Sequence, residues 1–138
     1  MPATAAVVAN IIAQANGTEQ WYFLSDSDDP LNYSEGIRQI ARQADAYWLI
    51  DAIKSYEVSE PAFVRKVAAD EGLSSLRFWK LHVNPDHTAK LWCEYDRGIV
   101  IVEQDLEHTD FPFVNETLTL YARSHEDGKI RLCLPSEY

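Results

Sequence analysis

Gly72 divides the chain into two periodicities, and that change limits the fold more than any other feature. Before it, apolar residues recur at helical spacing; beyond it they alternate. The second half holds five such runs, "LRFWKLHV", "AKLWCEY", "GIVIVEQ", "TLTLYA" and "KIRLCL". All are short, rich in β-branched and aromatic residues, and bounded by turn formers, so they predict strands. Asn84-Pro85-Asp86 reads as one turn, Asp96-Arg97-Gly98 as a tight hairpin loop, and His125 to Gly128 as a third turn. Connections this short make neighbouring strands antiparallel. In the first run Trp79, Leu81 and Val83 share a face, while Phe78, Lys80 and His82 share the other. Ile99 to Val102 shows no polar alternation, which predicts a central strand covered on both faces.

The first half predicts helices. Thr4 to Ala15 carries a stripe of Val8, Ile11, Ile12 and Ala15, stopped by Asn16-Gly17. A Ser, Asp, Pro and Asn cluster from Ser25 to Asn32 reads as a loop. Ser34 then caps a long helix from about Glu35 to Lys54. Ser59 and Pro61 open another, with Phe63 and Val67 on its apolar side and Gly72 as its end. The expected fold is α+β, a single domain over residues 1–138. Its N-terminal helices pack on one face of a five-stranded antiparallel sheet.

The long helix carries an apolar stripe of Ile37, Ile40, Ala41, Ala44, Tyr47, Trp48 and Ala52. At about 100° per residue, Asp51 falls inside that stripe. A carboxylate turned toward a core must be paired, hydrogen-bonded or protonated. It is then either a structural anchor for nearby donors or a cleft residue facing a ligand. The last two turns are apolar on the back as well, through Leu49, Ile50 and Ile53. That end needs a cover from elsewhere in the chain or from a second subunit.

Charge narrows the partners. Against 12 basic residues stand 22 acidic ones, a net of −10. Phosphate backbones and anionic membranes select basic surfaces, so neither nucleic acid nor membrane is expected as a direct partner. The acidic excess favours high solubility or a basic partner instead. No apolar run reaches the ~18 residues of a membrane span. The opening "MPATAAVVANIIAQANG" has no basic residue near its start and reads poorly as a secretion signal. Two cysteines, Cys93 and Cys133, make no disulfide framework and read as buried thiols of a cytoplasmic protein. The four histidines show no metal-ligand spacing, and the five glycines make no phosphate loop. No cofactor, metal or catalytic residue is therefore assigned. A Cys93, His108 or His82, and Asp110 arrangement can be drawn, but it lacks any motif.

Several blocks together are informative. "NGTEQWY", "AYWLIDAI", "FWKLHV", "AKLWCEY", "HTDFPF" and the closing "LPSEY", in this order, resemble a family of short, functionally unassigned proteins of bacteria and mobile elements. The resemblance spans nearly the whole chain and implies a single domain with no assigned activity. The family pattern keeps Glu19, Gln20, Trp21, Tyr22, Asp51, Asp110, Pro112, Ser136, Glu137 and Tyr138. It departs here at His108, where relatives tend to carry an aromatic, and at the plain turn Asp96-Arg97-Gly98.

Carboxylates among large aromatics are a pocket composition. The candidate pocket or binding residues are Glu19, Trp21, Tyr22, Trp48, Asp51, Asp110, Glu137 and Tyr138. Each has a plainer reading. Asp110 before Phe111-Pro112 can anchor a turn, "EQWYF" can be a flap over the sheet edge, and "LPSEY" can be a docked latch. The expected function is that of a non-enzymatic, acidic interaction or accessory protein that self-associates through the end of the long helix. The mobile-element resemblance extends this to an inhibitor of a host or defence protein. The alternative is a small-molecule binder or hydrolase with Glu19, Asp51 and Asp110 around Trp21 and Trp48. Convergence of those three carboxylates in one concavity separates the two.

Overall fold

A computed structural model describes residues 4–18, 20–25, 28–96 and 98–138. Glu19 and Arg97 therefore lie outside the described residues. The architecture is α+β. Along the chain run α1 (Ala5–Gln14), β1 (Leu31–Tyr33), α2 (Glu35–Gln43), α3 (Tyr47–Lys54), a π-helical turn (Ser55–Ser59), α4 (Pro61–Ala68) and α5 (Glu71–Ser75). Then follow β2 (Arg77–Val83), β3 (Ala89–Tyr95), β4 (Ile99–Leu106), β5 (Thr117–Ser124), β6 (Ile130–Cys133) and a closing 3-10 turn (Pro135–Glu137).

The sheet has six strands in the order β1-β6-β5-β2-β3-β4. It is mixed rather than purely antiparallel. The expected five strands are present as β2 to β6, and β1 is added in parallel beside β6, Leu31 opposite Ile130. β1 overlaps the end of the Ser/Asp/Pro/Asn cluster and is three residues long, too short for alternation to register.

The alternation in β2, β3 and β5 sorts one face inward. Trp79, Leu81 and Val83 meet Leu91, Cys93, Leu118 and Leu120, all at most 3% exposed. Ile37, Ile40, Ile50, Ile53 and Phe63 from the helices join them in one core. Burying each such side chain is worth about 1.5–3 kcal/mol, so this face carries the fold. On the other face Phe78 packs edge-on against Tyr121 at 5.1 Å, and Lys80 pairs with Glu94 at 3.0 Å.

Three expectations are corrected. The helix from Glu35 to Lys54 is two helices, broken at Ala44 to Ala46, where Asp45 takes the left-handed backbone (φ 51°). A wheel drawn across that break loses its phase. The helix expected to end at Gly72 stops at Ala68, and Asp70 caps α5 by accepting from Gly72 N at 2.8 Å and Leu73 N at 3.2 Å. Ile99 to Val102 is not central. β4 is an edge strand, with Ile99 59% and Val100 46% exposed. Apolar runs of four look alike in a covered strand and in one that waits for a neighbour.

The approach to β1 is pinned by Asp29. Its Oδ2 accepts from Lys54 Nζ at 2.8 Å and Ser25 Oγ at 3.0 Å, and its Oδ1 from Leu31 N at 3.1 Å. Burial raises this carboxyl, but the bonds from Lys54, Leu31 and Ser25 outweigh it and hold the pKa below the ordinary 3.8. A depressed folded value means stability that is complete above the unfolded pKa and lost as pH falls through the folded one. Urea midpoints should therefore hold down to the region of pH 3.8 and decline below it. Asp29→Asn should flatten that acid limb; an unchanged limb would remove Asp29 from it.

Candidate functional site

Asp51 is exposed on the solvent side of α3, contrary to the wheel. The break at Ala44 to Ala46 resets the phase, so Leu49, Ile50 and Ile53 become the inward face, each at most 3% exposed. Tyr47, assigned to the inward stripe, is 38% exposed. Of the two covers expected for that apolar back, another segment of the chain or a second subunit, this chain's own core supplies the first. Asp51→Asn should change stability by less than about 0.5 kcal/mol, as surface substitutions do. A melt lowered by several degrees would contradict the exposed placement.

The buried carboxylate is Glu57 instead. Past Lys54 the backbone widens into the π-helical turn, which carries Glu57 into the interior. Its Oε1 accepts from Arg77 Nη2 at 2.7 Å, and its Oε2 from Arg77 Nε at 2.9 Å and Trp79 Nε1 at 2.8 Å. Arg77 Nη1 donates to the Leu73 carbonyl at 2.7 Å and to Ser124 Oγ at 3.2 Å. The two side chains are 0% and 1% exposed. Every charged atom in this fork is satisfied, so the cluster ties the π-helical turn, α5, β2 and β5 together. Sequence reasoning missed it, although Arg77 shares the strand parity of Trp79, Leu81 and Val83. A cation in core register demands a buried acid.

The other candidates separate. Trp21 is half-buried with the Arg131 guanidinium 5.4 Å over its ring. Tyr22 bridges to Tyr33 and lies 4.5 Å under Arg38, the geometry of a flap at the β1 side. Glu137 caps α2: its Oε2 accepts from Gly36 N at 3.1 Å, and its Oε1 from Ser34 Oγ at 2.5 Å and Leu134 N at 2.9 Å. Tyr138 stands on the open sheet face, 5.3 Å from Tyr121 and 60% exposed.

Trp48 and Asp110 do come together. With Asp45, Leu106, His108 and Phe111 they line a cleft of about 340 Å³. It lies where the α2–α3 turn meets the chain leaving β4. Phe111 is buried at 1% exposure, and His108 Nε2 lies 3.0 Å from Asp110 Oδ1. Asp51 and Glu137 are not among its lining residues.

Cys93 is buried on the core face, and burial drives its thiol far up; burial pushes Cys133 up to about 11. Neither is a thiolate near neutrality, and Cys93 is not among the residues that line the cleft with His108 and Asp110. Among the described residues no group of three or more His, Cys, Asp or Glu is placed to hold a metal, and no helix is long and apolar enough to cross a membrane.

β4 runs into this cleft. One side pairs with β3; the other has no strand neighbour among the described residues. Ile99 and Val100 are exposed at one end, and Glu103, Asp105 and Glu107 at or just beyond the other. Leu106 ends the strand and lines the cleft.

A family model described as a family of unknown function (DUF6876) matches residues 8–138. No curated protein and no solved structure matches the chain.

Proposed function

Because the chain belongs to this family of unknown function, it inherits no activity, and we propose from its geometry a non-enzymatic protein-interaction module. The module offers the open edge of β4 to an extended segment of a partner protein. The observation that carries this reading is the exposed apolar half of that edge, Ile99 at 59% and Val100 at 46%. Unpaired backbone groups beside apolar side chains are a template for an added strand. An accessory or inhibitory role toward another protein is the biological form such an edge takes.

A hydrolase reading draws on the cleft with its His108–Asp110 pair. It is the weaker one, because Asp51 stays outside the cleft and both thiols are buried.

The test is selection of a displayed library of random 12-residue peptides on the full chain. Enriched peptides should alternate apolar residues. Against Ile99→Gln/Val100→Gln, which keeps the net charge at −10, they should lose at least about tenfold in affinity, the equivalent of 1.4 kcal/mol. Equal binding to both proteins, or no enrichment, would remove the edge from the reading.

A further inference from the structure

Resting on that edge reading, we propose that the cleft at the end of β4 is a receptor for one lysine or arginine side chain of the bound segment. Three features point to a cation. Asp45 and Asp110 place carboxylates at the cleft, and the aromatic Trp48 lines it with them. His108 Nε2 lies 3.0 Å from Asp110 Oδ1 in an exposed pair at the rim. Leu106 and the buried Phe111 give an apolar floor, suited to the methylene stem of a long basic side chain.

Placement along the strand agrees. The apolar block ends at Val102, and Leu106 lies four residues further, about 13 Å at ~3.3 Å per residue. A strand docked over Ile99 to Val102 reaches the cleft with a side chain about four to six residues away. That residue precedes the apolar block in an antiparallel strand and follows it in a parallel one. Asp105, exposed on β4 between block and cleft, favours a basic segment along the same path; Glu103 beside it already lies 3.8 Å from Lys90 Nζ.

A second copy of this chain fits worse. Full antiparallel pairing of β4 with itself sets the apolar half of each strand across the acidic half of the other. Acidic edge residues are also a device against pairing with a like-charged strand. The occupant is therefore a basic-apolar extended segment of another protein.

The experiment is a double-mutant cycle on one fluorescein-labelled selected peptide. Its basic residue is replaced by methionine, and the protein is varied as Asp45→Asn/Asp110→Asn, two exposed positions. Against the native chain the replacement should weaken binding at least about tenfold; against the variant, less than about twofold. Equal losses against both proteins would overturn the cleft assignment. So would enriched peptides without a basic residue at that spacing, even where Ile99→Gln/Val100→Gln still abolishes binding and the edge reading stands. Coupling to the cleft with no effect of the Gln variant would keep the cleft and remove the edge. A concentration-dependent dimer that releases the peptide would make a second copy the occupant and overturn the proposal.

Discussion

Replacing Arg77 with methionine is expected to cost about 3–5 kcal/mol of folding free energy, the penalty for breaking a buried ion pair. The substitution strands Glu57, 1% exposed at its side chain, with Trp79 Nε1 as its remaining donor. The Leu73 carbonyl and Ser124 Oγ lose their donor as well. Glu57→Leu together with Arg77→Met should recover more than half of the loss, since both desolvated charges then leave the core. Recovery should be incomplete, because Trp79 Nε1 keeps no acceptor. Equilibrium urea unfolding reads both, as shifts in midpoint at unchanged slope. A single variant that loses less than about 1 kcal/mol would mean that water reaches Glu57 and that the pair is not the closed fork described here.

Gly36→Ala is expected to destabilise the fold by about 1–3 kcal/mol, the cost of overpacking. That reverses the usual sign, since alanine in a helix is ordinarily better than glycine by about 0.5–1 kcal/mol. An added Cβ would lie 2.7 Å from Leu134 Cδ1 and 2.9 Å from Glu137 Oε1. Leu134 is fully buried and cannot retreat. Glu137 can move only by giving up its bonds to Ser34 Oγ, Gly36 N and Leu134 N. The variant should therefore also loosen the closing 3-10 turn, read as faster amide exchange at Glu137, whose N–H donates to the Leu134 carbonyl. A melt raised by the substitution, with the tail still protected, would show that the close approach of α2 and the C-terminal turn is not kept in solution.

Much of the fold was legible because it is written locally. The switch of period near Gly72 marks where helices give way to strands, and the parity of Trp79, Leu81 and Val83 names the buried face correctly. Ser34 caps α2 as its type and place suggest. In "LPSEY" the contact with α2 is made by Glu137, not by the Tyr138 expected to dock, which is 60% exposed. Trp48 and Asp110 meet in one cleft.

The failures share a physical cause. One helical phase carried across Ala46 turns Asp51 inward, and three non-helical residues are enough to turn it outward. Glu57 was overlooked because its partners come from β2, 20 and 22 positions away. Leu31 and Asn32 of β1 fall in the cluster that reads as a loop, because they become a strand only beside β6.

From sequence alone came the change from helices to strands, the five strands β2 to β6, the apolar face of β2, and the charge that bounds the partners. These depend on neighbours a few residues apart and on totals over the chain. Tertiary structure alone decided which acid is buried, which strand is the edge, and which residues meet in the cleft. Those outcomes depend on pairings between distant segments, and neither a helical wheel nor a strand's alternation contains the position of another element.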